Sequence, residues 1–217
     1  MDGVEEKSGG PLKRDGYKAI VVGSSAGGLN ALSALLPSLP ADFRLPMIIA
    51  QHVHPTQNGY FTESLNRKSK LPVRLAGEKE SILEGHIYFA PPNYHLLIER
   101  DETFSLSIDP RVNYARPSIE VLFESAVYVW SSGLIGVMLT GANNDGAEAM
   151  RLIKRCGGLT IAQDPSTAES PMMPQSAIDA GGVDEILTLE QIARLLQSLD
   201  QACRNRSADQ SQSTRRF

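Results

Sequence analysis

Apolar and polar positions fall in blocks along this chain. Short apolar runs stop abruptly at glycine or a polar residue, and amphipathic segments follow them. The runs Lys18–Val22, Pro46–Gln51, His86–Ala90, Leu134–Leu139, Leu159–Ala162 and Glu185–Leu187 have the length and side-chain content of strands. The segments Leu29–Leu36, Gly59–Lys68, Ser118–Trp130, Ala147–Arg155, Gln175–Ala180 and Leu189–Leu199 place apolar residues at helical spacing. Strand followed by helix predicts βαβ units, hence an α/β fold with a doubly wound, mostly parallel sheet. One region departs from the rhythm. From His86 to Ile108 the apolar runs are separated by Pro-Pro-Asn and by Arg100–Thr103, which read as turns between hairpin strands. The expectation is an antiparallel hairpin at one end of the sheet.

Length and composition narrow the picture. A chain of 217 residues suits one well-buried α/β domain. Residues 1–16 are polar and glycine-rich and are expected to be flexible, with the domain over 17–200 and a disordered tail over 201–217. Hydrophobic residues make up 41% and charged residues 21%, as in an ordinary soluble domain. The net charge of −4 argues against a nucleic-acid surface. No apolar run approaches the roughly 20 residues that span a bilayer. The acidic start Met1-Asp-Gly-Val-Glu-Glu has no hydrophobic signal core. A cytoplasmic location without membrane insertion is therefore expected. Cys156 and Cys203 lack metal-ligand or redox spacing and read as incidental reduced thiols.

The chemistry concentrates at strand ends. Gly23-Ser24-Ser25-Ala26-Gly27 fits G-x-S-x-G between a strand and a helix, a frame that exposes the central Ser25 as a nucleophile. The same turn could simply cap a helix. As a dinucleotide loop it lacks the central glycine, and the acidic residue expected about 20 positions on is replaced by Gln51-His52. His52 ends the next apolar strand, and a serine hydroxyl at neutral pH needs a base of that kind within reach. His54 is an alternative base, whereas His86 and His95 look like strand residues. Asp145, in Leu139-Thr-Gly-Ala-Asn-Asn-Asp-Gly-Ala147, follows a third strand and could accept a hydrogen bond from the histidine ring or cap the next helix. All three residues border the crevice at the carboxyl ends of a parallel sheet. Their order, Ser then His then Asp, differs from that of α/β-hydrolases.

At these residues the chain resembles the receptor-glutamate methylesterases of bacterial chemotaxis, the CheB type. The likeness runs from Lys18 to Leu199. It is carried by Val22-Gly-Ser-Ser-Ala-Gly-Gly28, Gln51-His52, Tyr88-Phe-Ala-Pro-Pro92, Ala115-Arg-Pro-Ser-Ile-Glu120, Leu139–Ala147, Ile161-Ala-Gln-Asp-Pro165 and Met173-Pro-Gln-Ser-Ala-Ile178. The resemblance implies a Ser25, His52, Asp145 triad that hydrolyses glutamate γ-methyl esters on chemoreceptor-type proteins and releases methanol. It also implies glutamine deamidation in some members, and no metal or organic cofactor. His52 Nε2 would face Ser25, and Nδ1 would face Asp145. Backbone amides at Ala26 and Ala142 would hold the oxyanion, and Arg116 would lean on an acidic receptor helix. Where the family often has Thr, this chain has Ala26, and where it often has Met-Gly, this chain has Ala142-Asn143. The roughly 16 residues before the first strand leave no room for a fused receiver domain, so constitutive activity, control by a partner in trans, or a split system are the expected alternatives. The competing reading is a non-catalytic binding or regulatory module that kept the crevice. A nucleotide-binding Rossmann protein is the third.

Overall fold

The computed structural model describes residues 16–53 and 60–214, with side chains to residue 206. The N-terminal segment expected to be flexible, together with His54 and Gly59, lies outside the described residues, Gly16 excepted.

Seven strands form one parallel sheet: β1 (Ala19–Ser24), β2 (Met47–Gln51), β3 (Val73–Leu75), β4 (Ile87–Phe89), β7 (Leu134–Met138), β8 (Leu159–Gln163) and β9 (Glu185–Leu187). Their order is β3-β4-β2-β1-β7-β8-β9. β1 is therefore central. It pairs with β2 on one side, Val22 beside Ile49, and with β7 on the other, Val22 beside Val137. From β1 the chain adds β2, places β3 at the edge, fills the gap with β4, then crosses to begin the other half at β7. That reversal opens a crevice beyond the carboxyl ends of β1, β2 and β7, the usual ligand position in such sheets.

Helices cover both faces, and alternate residues of each buried strand serve opposite layers. Ile20 and Val22 pack with Leu32 and Leu35 of α1 (Gly28–Leu35), Leu65 of α2 (Tyr60–Lys68) and Ile192 and Leu196 of α6 (Leu189–Thr214). Ala19 and Val21 face the other layer, with Leu122 and Phe123 of α3 (Ile119–Trp130), Met150 and Ile153 of α4 (Ala147–Arg155) and Met173 of α5 (Met172–Asp179). Each such fully buried aliphatic side chain contributes about 1.5–3 kcal/mol. In α4 the apolar stripe Ala147, Met150, Ile153 faces inward, while Lys154 and Arg155 stand at the negative end of the helix dipole.

The expected antiparallel hairpin is present, but the run before it has a different place. β5 (His95–Ile98) and β6 (Phe104–Ser107) do pair antiparallel, but as a separate two-stranded sheet. The run before them, β4, is not a hairpin partner. It lies parallel between β2 and β3, because its side chains Ile87 and Phe89 fill one core layer and Tyr88 the other. β3 was not anticipated. The last helix also runs past Leu199 to Thr214, through a stretch expected to be a disordered tail. Its extension is held by Asp200, whose carboxylate accepts the Arg44 and Leu45 amides at 2.9 and 3.0 Å, and by Arg204 paired with Asp42. No helix among the described residues is long and apolar enough to cross a membrane.

Candidate active site

Ser25, His52 and Asp145 follow β1, β2 and β7, the three central strands, and so meet at one end of the sheet. Hydrogen bonds between the strand ends hold the turns together. The Ser25 amide donates to Thr140 O at 3.0 Å and the His52 amide to Ser24 O at 3.0 Å. Buried Gln51 ties the first two turns more tightly. Its Nε2 donates to Ser25 O at 2.9 Å and His52 O at 2.8 Å, and its Oε1 accepts from Ser24 Oγ at 2.5 Å. Thr140 does the same on the other side. Its hydroxyl lies 2.9 Å from Ala26 O and accepts the Ser170 amide at 2.8 Å.

Two glycines make this geometry attainable. Gly27, at φ 75°, begins α1 in the left-handed region, so the chain turns at once behind Ser25. Gly141 sits where a Cβ would lie 2.9 Å from Ser25 Cβ and 1.9 Å from Met173 Sδ. The loop after β7 can therefore press directly against the serine.

His52 Nε2 lies 2.9 Å from Asp145 Oδ2. This corrects the expected ring orientation, in which Nδ1 was to face the carboxylate. The chemistry is preserved, because a neutral imidazole that donates through one nitrogen accepts through the other. With Nε2 as donor, Nδ1 is the basic nitrogen. Its partner among the described residues is the Asn143 side-chain amide, Nδ2, at 3.4 Å.

Asp145 is fully buried and does two things at once. Besides His52, its carboxylate accepts the Ile119 amide at 2.7 Å, the Glu120 amide at 3.3 Å, Ser118 Oγ at 2.9 Å and Asn113 Nδ2 at 2.9 Å. It thus caps α3 from another part of the chain, where Ser118 forms no side-chain cap of its own. Burial alone would raise the carboxyl pKa, but the bonds from His52, Asn113 and the Ile119 amide outweigh it and hold Asp145 below the ordinary value. Buried His95 supports this arrangement from behind: its Nδ1 accepts the Ser118 amide at 3.3 Å and its Nε2 donates to Pro110 O at 3.1 Å. Ser118 and Asn113 were not singled out from sequence, although Ser118 lies inside the Ala115–Glu120 motif.

Glu120 shows the reverse balance. Desolvation, then the nearby charges of Glu124 and Asp145, raise its pKa to about 7, against the opposing effect of the Gly146 amide. Asp145 thus caps the start of α3 while Glu120, in that first turn, accepts from the residue that begins α4.

Ser25 and His52 line one cavity of about 240 Å³ together with Asn30, Gln51 and Glu169. His52 also borders an adjoining cavity of about 180 Å³, walled by Arg111, Asn113, Tyr114, Arg116 and Asn143. Arg116 donates from Nη1 to Ile108 O at 2.6 Å and Asp109 O at 3.0 Å, so it braces this wall. Arg111, which sequence reasoning passed over, is exposed beside it. The Gly141 amide is taken by Ser170 O at 2.9 Å, whereas the amides of Ala26 and Ala142 donate to no other described residue. Among the described residues no group of His, Cys, Asp and Glu side chains is placed to hold a metal ion.

A family model described as CheB methylesterase matches residues 20–196 of this chain. A Leptospira interrogans protein is 53% identical over 185 residues, covering 85% of this chain and 96% of that protein. Its name, a provisional one, is protein-glutamate methylesterase/protein-glutamine glutaminase. A Pseudomonas aeruginosa protein-glutamate methylesterase/protein-glutamine glutaminase 3 is 38% identical over 198 residues, 91% of this chain but 58% of its own length. Among solved structures, the Thermotoga maritima CheB methylesterase catalytic domain matches with a TM-score of 0.81 at 32% identity, over 84% of this chain and 98% of that domain.

Proposed function

This chain belongs to the CheB methylesterase family, and on that premise we propose that it hydrolyses glutamate γ-methyl esters on chemoreceptor-type signalling proteins and deamidates glutamine at such positions. None of the relatives named above carries a name that fits a non-catalytic module. The observation that carries the reading is the 2.9 Å contact between His52 Nε2 and the buried Asp145 carboxylate, beside a cavity shared by His52 and Ser25.

In this reading Ser25 is the nucleophile, His52 the base and Asp145 the group that orients it. Nδ1 of His52 takes the Ser25 hydroxyl proton as Oγ attacks the ester carbonyl. The oxyanion is held by the amides of Ala26 and Ala142, each such donor contributing about 3–4 kcal/mol. The tetrahedral intermediate collapses, the imidazolium gives its proton to the leaving oxygen, and methanol departs. From a glutamine side chain the same steps release ammonia. Water then attacks the acyl-enzyme with His52 again as base, leaving a glutamate carboxylate on the receptor. The carboxylate of Asp145 favours the imidazolium and stays ionised throughout.

Arg111 and Arg116 give the wall beyond His52 a positive charge suited to an acidic receptor segment. In this reading the enzyme works in the cytoplasm, on the signalling end of its receptor. Methanol release from a methyl-labelled receptor tests the reading. The parent should release label, and Ser25→Ala should lose at least about 10³-fold in rate. Release by Ser25→Ala at the parent rate would remove the nucleophile assignment.

A further inference from the structure

We propose that Asn143 is a positioning residue for the base: it holds the resting His52 ring with its proton on Nε2 and engages the Nδ1 lone pair until substrate displaces the amide. The consequence for catalysis rests on the triad reading above, but the contact itself does not.

Asp145 fixes which ring nitrogen carries the proton. An ionised carboxylate can only accept, so the ring nitrogen 2.9 Å from it must carry the hydrogen. A neutral imidazole then has one lone pair in the ring plane, on Nδ1. Among the described residues its donor is Asn143 Nδ2 at 3.4 Å. The other end of the same carboxamide sets its orientation. Asn143 Oδ1 accepts the Asp145 backbone amide at 3.1 Å. Turning the carboxamide over would set its NH2 against the Asp145 N–H, donor against donor, and its oxygen against the Nδ1 lone pair. Only one arrangement satisfies all three residues. His52 donates to the Asp145 carboxylate, the Asp145 amide donates to Asn143, and Asn143 donates back to His52, closing a cycle of three hydrogen bonds.

Two effects follow. To serve as base, Nδ1 must exchange the Asn143 N–H for the Ser25 hydroxyl, so productive binding has to open this contact. Protonation of the ring also forfeits the contact, because an imidazolium has no lone pair to offer. Asn143 therefore opposes protonation of the resting base, and its removal lets the ring protonate at higher pH.

The test is an NMR titration of His52 without substrate, in the parent, Asn143→Ala and Asn143→Asp. The His52 signal is identified among the four histidines by its loss in His52→Gln. Asn143→Ala should move the titration midpoint upward by roughly half to one pH unit, the equivalent of one net hydrogen bond. Asn143→Asp keeps the acceptor for the Asp145 amide, so the loop is preserved, and adds a charge that favours the imidazolium. Its midpoint should move further in the same direction. The acid limb of kcat/KM for methyl-ester hydrolysis should follow both. Midpoints that coincide with the parent in both variants, or that move downward in Asn143→Ala, would overturn the proposal. A parent that releases no methanol would instead count against the proposed function, and the titration would still decide the role of Asn143.

Discussion

The carboxylate of Asp145 accepts His52 Nε2 at 2.9 Å and the Ile119 backbone amide at 2.7 Å through the same oxygen, Oδ2. One atom thus orients the histidine and caps the first turn of α3. The helix end in turn helps to fix where that oxygen lies, so part of what aims the imidazole is backbone. Charge-assisted bonds of this kind are about twice as strong as neutral ones.

Asp145→Asn separates the two tasks. The asparagine oxygen can still accept a helix amide, but an NH2 turned toward His52 Nε2 would force the ring proton onto Nδ1, the nitrogen needed as base. By analogy with triads in other serine hydrolases, kcat should fall by about 10³–10⁴-fold. Loss of the charged cap should cost about 1–2 kcal/mol of stability. Steady-state kinetics with a urea unfolding curve check both. A large stability loss with kcat intact would mean that Asp145 only caps.

Gly141→Ala tests whether the loop after β7 positions the serine. Its new Cβ would overlap Met173 Sδ and crowd Ser25 Cβ, since the ideal positions lie 1.9 and 2.9 Å away. Met173 is buried, so the strain must pass in part to Ser25. Displacement of a reacting group by about 1 Å typically costs about 10²-fold. The expected result is a fall in kcat of that order in a protein that still unfolds cooperatively. An unchanged kcat would show that Met173 absorbs the whole displacement.

Gln51→Leu removes the bridge between the serine and histidine turns. The Ser25 and His52 carbonyls would lose the donor now 2.9 and 2.8 Å away, and Ser24 Oγ would lose its acceptor. Unsatisfied groups cost about 1–3 kcal/mol each when buried, as Ser24 is, and less where only half-buried, as at Ser25 and His52. Chemical denaturation should show a loss near the lower end of their sum, accompanied by reduced turnover if the proposed reaction runs there, since the Ser25 and His52 turns both hang on the one carboxamide. Stability within about 0.5 kcal/mol of the parent would mean that water replaces the bridge.

Much of this site is legible in the sequence because it depends on strand ends. Apolar runs that stop at Ser25, at His52 and before Asp145 mark carboxyl ends of parallel strands, and the sheet order brings those ends together. What the pattern cannot carry is partner identity across the fold. The three-residue strand Val73–Leu75 offers too little periodicity to stand out, and β4 has the same apolar content whether its neighbour runs parallel or antiparallel. The ring orientation of His52 is set by the α3 N-terminus, by Asn113 and by Ser118, all distant in sequence from the histidine. The last helix continues beyond Leu199 although apolar residues thin out there. Its anchors are polar: Asp200 on the Arg44 and Leu45 amides, and Arg204 on Asp42.

Glu120 and Asp145 should impose opposite pH dependences on stability. Asp145 has a lowered pKa in the folded chain, so its contribution is present above about 3.9, the unfolded carboxyl value, and is lost as pH falls through the folded value. Glu120 is raised to about 7, so between about 4.3, where the unfolded chain ionises, and about 7 the folded state holds the extra proton. Folding is therefore favoured by Glu120 only at acid pH, and stability declines across that interval as the half-buried side chain resists ionisation near Asp145. Glu120→Gln keeps an oxygen to accept the Gly146 amide but cannot ionise. The variant should gain on the parent between about pH 5 and pH 8, by about 1–3 kcal/mol after allowance for solvent screening. Urea midpoints measured across that range decide the point. Parallel curves for parent and variant would mean that Glu120 ionises at an ordinary pH, and that the acidic neighbourhood of the triad is better solvated than its packing implies.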